Sequence, residues 1–278
     1  MTDLERFREV LGTSLRHSLG AECPQPQAVL SETTDTSQHN DLTIERLCIG
    51  RRGKGDRVPA LLFRRAGAKP PLSAALVVHP DGKAALLGAD GKSAGETATK
   101  ALERVDLVLT LDCLLTGESQ AAPSRAEAMK DMKYFTTYNR TDLANRVQDI
   151  LTGLAFLRDL PDVERVCLVG LQKAGLWCLL ARALAPFVNA TAADGDQFDA
   201  TNDDSFIAQL AAPSIRRAGD LRTAGGLAAP GKLFIHNAGN KFPIDWVRDV
   251  YRAADAEDKL RVRRVKASEE TVFSSLSE

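Results

Sequence analysis

Residues 163–186 read VERVCLVGLQKAGLWCLLARALAP, and this stretch sets the expectation for the whole fold. Arg165–Gly170 is a short apolar run with β-branched valines, which predicts a buried strand. Gly170–Gly175 is a tight turn with small residues at its ends. Leu176–Leu184 is apolar enough to be a helix packed against a sheet, and the proline that follows cannot continue it. The stretch therefore predicts a strand, a sharp turn and a helix, with Gln172 in the middle of the turn.

The composition is that of an ordinary globular chain and excludes several classes of function. The 278 residues carry a net charge of -1, so there is no electrostatic reason to expect nucleic acid or a membrane surface as a partner. No apolar run approaches the roughly 20 residues of a membrane-spanning helix, and residues 2–6 do not resemble a signal peptide. The five cysteines contain no CxxC pair. We therefore expect a cytoplasmic protein with reduced thiols and without a metal or cofactor.

Seven further apolar runs predict strands, and helical patterns separate most of them. The first two form an antiparallel hairpin. Strands separated by helices require crossover connections, which are typical of a parallel sheet. The sequence thus predicts an α/β fold with a mostly parallel eight-stranded sheet and helices on both faces. The seven additional strands are expected at residues 42–49, 57–64, 74–78, 105–111, 188–193, 232–236 and 260–265.

The first 41 residues differ in character from the rest. Residues 4–19 have apolar side chains at helical spacing, whereas residues 21–41 are rich in Pro, Gln, Ser, Thr and Asp. We therefore expect an N-terminal helix and linker over residues 1–41, followed by one domain over residues 42–278. A polar insertion is expected at residues 120–140.

Further landmarks lie at the ends of the predicted strands. His79-Pro80-Asp81-Gly82 ends one strand, and Asp112 ends another just before Thr116-Gly117-Glu118-Ser119. Together with the turn around Gln172, these motifs resemble α/β-hydrolases of the acetyl xylan esterase and dienelactone hydrolase type over roughly residues 42–276. The resemblance implies the α/β-hydrolase fold. It also implies that the turn is the nucleophile elbow, which those enzymes write G-x-S-x-G.

The resemblance further implies where a catalytic triad would lie, and the sequence does not fill those positions. The nucleophile position is Gln172, a neutral amide that does not attack esters. The acid is expected near Asn240 or Lys241, and the histidine near residues 267–271, but no histidine follows His236. Loss of triad members lowers turnover by about 10⁴–10⁶. The resemblance thus implies an esterase scaffold with a degenerate triad.

Polar residues at the predicted strand ends are the candidates for a site. Gln172 and Lys173 begin the helix after the turn, where backbone amides favour an anion or a carbonyl oxygen. His79 and Asp81 are expected to line the same site, because ligands often contact the carboxyl ends of parallel strands. His79 and Asp112 end neighbouring strands, so a hydrogen-bonded pair is predicted.

Three hypotheses follow from these residues. The first is a non-catalytic homologue that binds a carbohydrate or small ester, or that assembles with another hydrolase domain or with a second copy. The second is an active carboxylesterase with a non-standard site around His79 and Asp112, in which water or Cys113 is the nucleophile. The third is a scaffold whose former pocket is filled by side chains.

Overall fold

The protein folds around one twisted sheet in a computed structural model that describes residues 3–120 and 135–277. Most of the polar insertion predicted at residues 120–140 lies outside these described residues. The sheet contains nine strands, which the sequence places in the following order. They are β1 (Val29–His39), β2 (Leu42–Arg51), β3 (Val58–Arg65), β4 (Leu72–Val78), β5 (Leu107–Leu111), β6 (Val163–Gly170), β7 (Ala190–Asp194), β8 (Lys232–His236) and β9 (Leu260–Val262).

The sheet is mostly parallel, as the sequence predicts. Its spatial order is β1-β2-β3-β5-β4-β6-β7-β8-β9. Strands β4 to β9 run parallel to one another, whereas β1, β2 and β3 form antiparallel pairs at one side of the sheet. All eight predicted strands are present, so the α/β architecture is confirmed.

Helices cover both faces of the sheet, which confirms that part of the prediction. One face carries α1, α4, α5, α7 and α8, and the other carries α2 and α9. Within residues 3–120 and 135–277, no helix is both long enough and apolar enough to cross a bilayer. The helices are α1 (Asp3–Leu19), α2 (Glu96–Leu102), α3 (Phe135–Tyr138), α4 (Asp142–Asp159), α5 (Ala174–Leu184), α6 (Asp203–Gln209), α7 (Asp220–Leu227), α8 (Ile244–Ala253) and α9 (Glu269–Ser274).

The central strand β4 shows why the apolar runs are continuous rather than alternating. Ala74, Leu76 and Val78 pack into the larger core, and Ala75 and Val77 pack into the smaller one. Both faces of the strand are therefore dry, which is typical of a parallel sheet covered by helices.

The linker predicted over residues 21–41 is wrong for residues 29–39, because these residues form the edge strand β1. Most of its side chains are exposed on both faces, so the strand lacks the apolar alternation that would have identified it. It is held instead by backbone pairing with β2 at ten positions. The sheet consequently has nine strands rather than eight. The helix before it is also part of the fold, since Leu15 and Leu19 are fully buried.

The turn between β6 and α5 is held by close backbone contact. A Cβ atom on Gly175 would lie 2.1 Å from the carbonyl oxygen of Asp194 in β7. A Cβ atom on Gly170 would lie 2.5 Å from Cα of Gly175. These distances are too short for any side chain, so α5 begins directly against the sheet only because both positions are glycine.

We predict that Gly175→Ala lowers the free energy of unfolding by about 1–3 kcal/mol or more, because the added methyl must displace backbone atoms of β7. Urea unfolding followed by circular dichroism measures this change. Gly12→Ala is the matched control, since its Cβ would lie 3.7 Å from Leu227 and α1 gains helix propensity of up to about 1 kcal/mol. An unchanged unfolding midpoint for Gly175→Ala would contradict the close packing.

Candidate functional site

Gln172 lies at the apex of a sharp bend between β6 and α5. Its φ angle is +50°, in the left-handed region that non-glycine residues rarely occupy. The bend is fixed on both sides: the Leu171 amide donates to the Val78 carbonyl at 3.0 Å, and the Gly175 amide donates to the Gln172 carbonyl at 2.9 Å. The elbow predicted from the sequence is therefore present, with a glutamine where the attacking hydroxyl would be.

Strained backbone is concentrated at the same edge of the sheet. Positive φ angles occur at Leu115 after β5 (+62°), Asp196 and Gln197 after β7 (+46° and +48°), and Asn237 after β8 (+52°). With Gln172, these residues follow the carboxyl ends of four strands. Such strain persists where the surroundings hold it, and it clusters at binding and catalytic sites. Ligands of open α/β sheets also bind at this edge, so we take it as the candidate site.

The structure brings Gln172 and His79 together. Nε2 of His79 lies 3.0 Å from the side-chain amide of Gln172, and the Asp81 backbone amide donates to Nδ1 of the same ring at 3.1 Å. Because Nδ1 accepts this bond, the ring proton belongs on Nε2, and the amide oxygen of Gln172 is its natural acceptor. Burial lowers the pKa of His79, although the Asp81 carboxylate opposes that shift. The imidazole is therefore neutral at pH 7.

The loop after β4 uses its own backbone amides. In α/β-hydrolases an amide of this loop helps to stabilise the oxyanion. Here the Asp81 amide donates to His79, the Gly82 amide donates to the His79 carbonyl at 3.0 Å, and the Lys83 amide donates to Asp112 at 2.7 Å. These three donors are engaged within the protein rather than directed at a substrate.

Asp112 is a structural anchor between two loops. Its side chain is 1% exposed and accepts hydrogen bonds from Nζ and the backbone amide of Lys83 and from the Glu118 amide at 3.0 Å. A Cβ atom on Gly117 would lie 2.1 Å from its carboxylate, so the second loop wraps closely around it. The hydrogen bond predicted between His79 and Asp112 is replaced by the Lys83 pair. A buried carboxylate with its cation in place favours a fixed loop rather than proton transfer.

Cys113 lies inside the core and is poorly suited to attack an ester. The residue is 1% exposed, and burial raises the pKa of its thiol well above the ordinary value. Thiolates are the nucleophilic form of cysteine, and apolar surroundings disfavour them.

Polar residues after β7 and β8 join the site although the sequence did not single them out as ligands. Asp194, the last residue of β7, is 1% exposed and accepts hydrogen bonds from Nδ2 of Asn237 and from the Asp196 amide, both at 2.8 Å. Its place in a polar loop suggested a solvated residue, and that interpretation is wrong. His236 is also buried, and burial lowers its pKa while Asp194 opposes the shift. The available signal was the position of Asp194 at the end of an apolar run.

The loop before α9 carries charge where the resemblance implied a histidine. Lys266 and Glu269 are close enough to His79 to affect its pKa in opposite directions. Lys173 and Lys266 both oppose the burial that raises the pKa of Asp196. Among the residues that the structure describes, no three His, Cys, Asp or Glu side chains are grouped closely enough to hold a metal ion.

Solved esterase structures share this architecture. A crystal structure from Bacteroides fragilis NCTC 9343, provisionally named an acetyl xylan esterase, matches with a TM-score of 0.70 at 13% identity over 94% of this chain and 75% of that one. A glucuronoyl esterase from Solibacter usitatus gives 0.64 at 14% identity over 96% and 92%. Acetyl xylan esterase 1 from Thermoanaerobacterium sp. JW/SL YS485 gives 0.61 at 12% identity over 100% and 99%. No family profile and no curated protein matches the sequence. The chain thus has the α/β-hydrolase fold.

A buried carboxyl group next to the site gives a pH-dependent stability. Oδ2 of Asp149 in α4 accepts the Leu114 amide at 2.8 Å, and Nε of Arg146 donates to the Leu114 carbonyl at 3.0 Å. The Arg146 guanidinium lies 4.6 Å from the ring centroid of Trp177 in α5. Helix α4 thereby holds the loop after β5 against the elbow helix. Burial raises the pKa of Asp149 to about 7.

We predict that wild-type stability falls between about pH 4 and pH 7 by up to about 1.4 kcal/mol per pH unit because of Asp149. Its folded pKa is above the unfolded value, so the unfolded chain loses the proton first, and raising the pH favours unfolding until the folded group has also ionised. Asp149→Asn should flatten this part of the curve in urea unfolding measured from pH 4 to pH 8. Asp245→Asn, at an exposed position, is the control. Equal slopes in wild type and Asp149→Asn would refute the assignment.

Proposed function

We propose that this chain is a non-hydrolytic α/β-hydrolase-fold protein whose elbow binds a carbohydrate or a small ester. One observation carries the proposal: a glutamine side chain occupies the nucleophile position, and its amide lies 3.0 Å from Nε2 of His79. A glutamine amide has no lone pair basic enough to attack an ester carbonyl. The interaction also occupies the ring nitrogen that a general base would use.

The histidines of the sequence support the absence of hydrolysis. There are four in the whole chain, and all lie within the described residues. His17 is in α1, His39 ends the edge strand β1, and His236 is buried in β8. His79 remains, and both of its ring nitrogens have hydrogen-bonding neighbours. An ester hydrolase of the serine type needs an imidazole free to accept a proton.

The exposed groups at the elbow are suited to binding. Gln172 and Lys173 are exposed at the start of α5, and Asp81 is exposed on the facing loop. An amide, an ammonium and a carboxylate together donate to and accept from sugar hydroxyl groups and ester carbonyls. The solved proteins with this fold that are named acetyl xylan or glucuronoyl esterases support a carbohydrate as the ligand class. Assembly with another hydrolase domain, or with a second copy, remains a prediction of the sequence.

We expect the wild-type protein to hydrolyse 4-nitrophenyl acetate and the methyl ester of glucuronic acid no faster than Gln172→Ala does. The physical reason is that neither protein has a nucleophile at the elbow. Spectrophotometric and coupled assays at pH 7 measure both rates. Turnover that is present in the wild type and lost in His79→Ala would contradict the proposal.

The companion variant for this assay is Gln172→Ser, which restores the hydroxyl without restoring its base. A serine without a positioned base is a weak nucleophile, so we expect its rate to stay within about tenfold of the wild type. An increase of about 10³ or more would mean that a general base and an oxyanion site are already in place.

We expect xylo-oligosaccharides or glucuronic acid methyl ester to bind the wild-type protein and to bind Gln172→Ala at least about fivefold more weakly, because an amide pair with the ligand is lost. Isothermal titration and ligand-observed NMR measure the affinities. Gln38→Ala, in the distant edge strand β1, is the matched control and should bind like the wild type. Equal affinities of Gln172→Ala and wild type would place the ligand elsewhere.

A further inference from the structure

A second cavity lies at the opposite edge of the sheet from the elbow. Its volume is about 720 Å³, and it lies between α1, the end of α5 and the segment just before β8. Helix α5 starts at the carboxyl edge of the sheet and runs back, so its last residues, near Leu184, reach the amino edge where β7 and β8 begin. The cavity is therefore separate from the candidate site and its function.

Arg182 lines this cavity and carries a positive charge inside the protein. The residue is only 2% exposed. Its Nη1 donates to the Ala185 carbonyl at 3.2 Å and its Nη2 donates to the Ala228 carbonyl at 2.9 Å, whereas its Nε has no partner among the described atoms. Both carbonyls follow helix ends and are neutral dipoles. No described carboxylate forms an ion pair with Arg182, so its charge is balanced only in part.

Two further arginines of α1 face the same cavity. Arg8 and Arg16 are eight residues apart and line the same wall, and Nη2 of Arg8 donates to the Ala229 carbonyl at 2.8 Å. Glu9 is the single acidic residue of the lining, so three arginines stand against one glutamate. The ring of Phe187, which also lines the cavity, carries the guanidinium of Arg158 at 4.6 Å from its centroid.

Capping of helix ends accounts for only part of this arrangement. Arg182 and Arg8 satisfy carbonyl groups at the ends of α5 and α7, which is a common structural use of arginine. Capping explains neither the excess of positive charge nor a cavity larger than a few water molecules. It also does not involve Arg16, which is exposed at the cavity wall.

We propose that this cavity binds a small organic anion through a phosphate or carboxylate group held by Arg8, Arg16 and Arg182. Guanidinium groups match both anions with paired N–H donors. The apolar side chains of Leu184 and Phe187 would cover the uncharged part of the ligand. The volume exceeds that of an inorganic ion, which is why the ligand is assigned as an organic anion.

Pyrophosphate and citrate are the probes, and sodium chloride at matched ionic strength is the reference. Isothermal titration and thermal unfolding of the full chain measure binding. We expect at least one of the two probes to bind and to raise the melting temperature, and Arg16→Ala to weaken that binding tenfold or more. Arg6→Ala is the matched control, because it removes the same charge from the same helix outside the cavity lining. Binding of pyrophosphate alone would assign a phosphoryl ligand, and binding of citrate alone a carboxylate ligand.

The test remains decisive even where a variant is unstable. Arg182→Met removes the buried charge and its two carbonyl contacts, so it is interpreted only if circular dichroism shows a folded protein. Arg16→Ala makes no such demand, since its side chain is exposed. The proposal is overturned if neither probe exceeds the effect of chloride, or if Arg6→Ala and Arg16→Ala weaken binding equally.

Discussion

The close contact of Gly175 with the backbone of β7 is the constraint on which the rest of the site depends. It lets α5 start directly over the sheet, and the chain between β6 and α5 must then reverse within three residues. The reversal forces residue 172 into a left-handed conformation and projects its side chain beyond the carboxyl edge of the strands. The protein maintains this strain although the residue there is a glutamine. A turn without a role at this position would be free to relax.

The surroundings of the elbow are those of a fixed site without a proton-transfer path. Asp112 and Lys83 lock the two loops on one side, and Asp194 with Asn237 locks the loops on the other. His79 is neutral and engaged with Gln172. Hydrolysis needs groups that change protonation state during the reaction, whereas binding needs groups that stay in place. The arrangement favours the second role.

Most of the fold was predictable because it rests on burial. The eight apolar runs became strands, and the strand, turn and helix around Gln172 formed as expected, since each buries a continuous apolar surface. Strand β1 was not predictable in the same way, because backbone pairing holds it and its side chains remain exposed. A polar sequence at a sheet edge therefore looks like a linker.

The site was predictable in position but not in its contacts. The sequence placed Gln172 and His79 at neighbouring strand ends, and they meet. It also paired His79 with Asp112, but a buried carboxylate binds the nearest cation, and Lys83 reaches it from the loop after His79. The burial of Asp194 depends on contacts with Asn237, 43 residues away, which a local pattern does not contain.

The most direct measurement of the central claim is the intact mass of the protein after incubation with a fluorophosphonate, which forms a covalent adduct with an activated nucleophile of an esterase. An elbow that binds without attacking predicts an unchanged mass for the wild-type chain. A stoichiometric adduct that disappears in His79→Ala would contradict the account, because it would show an activated nucleophile working with that imidazole.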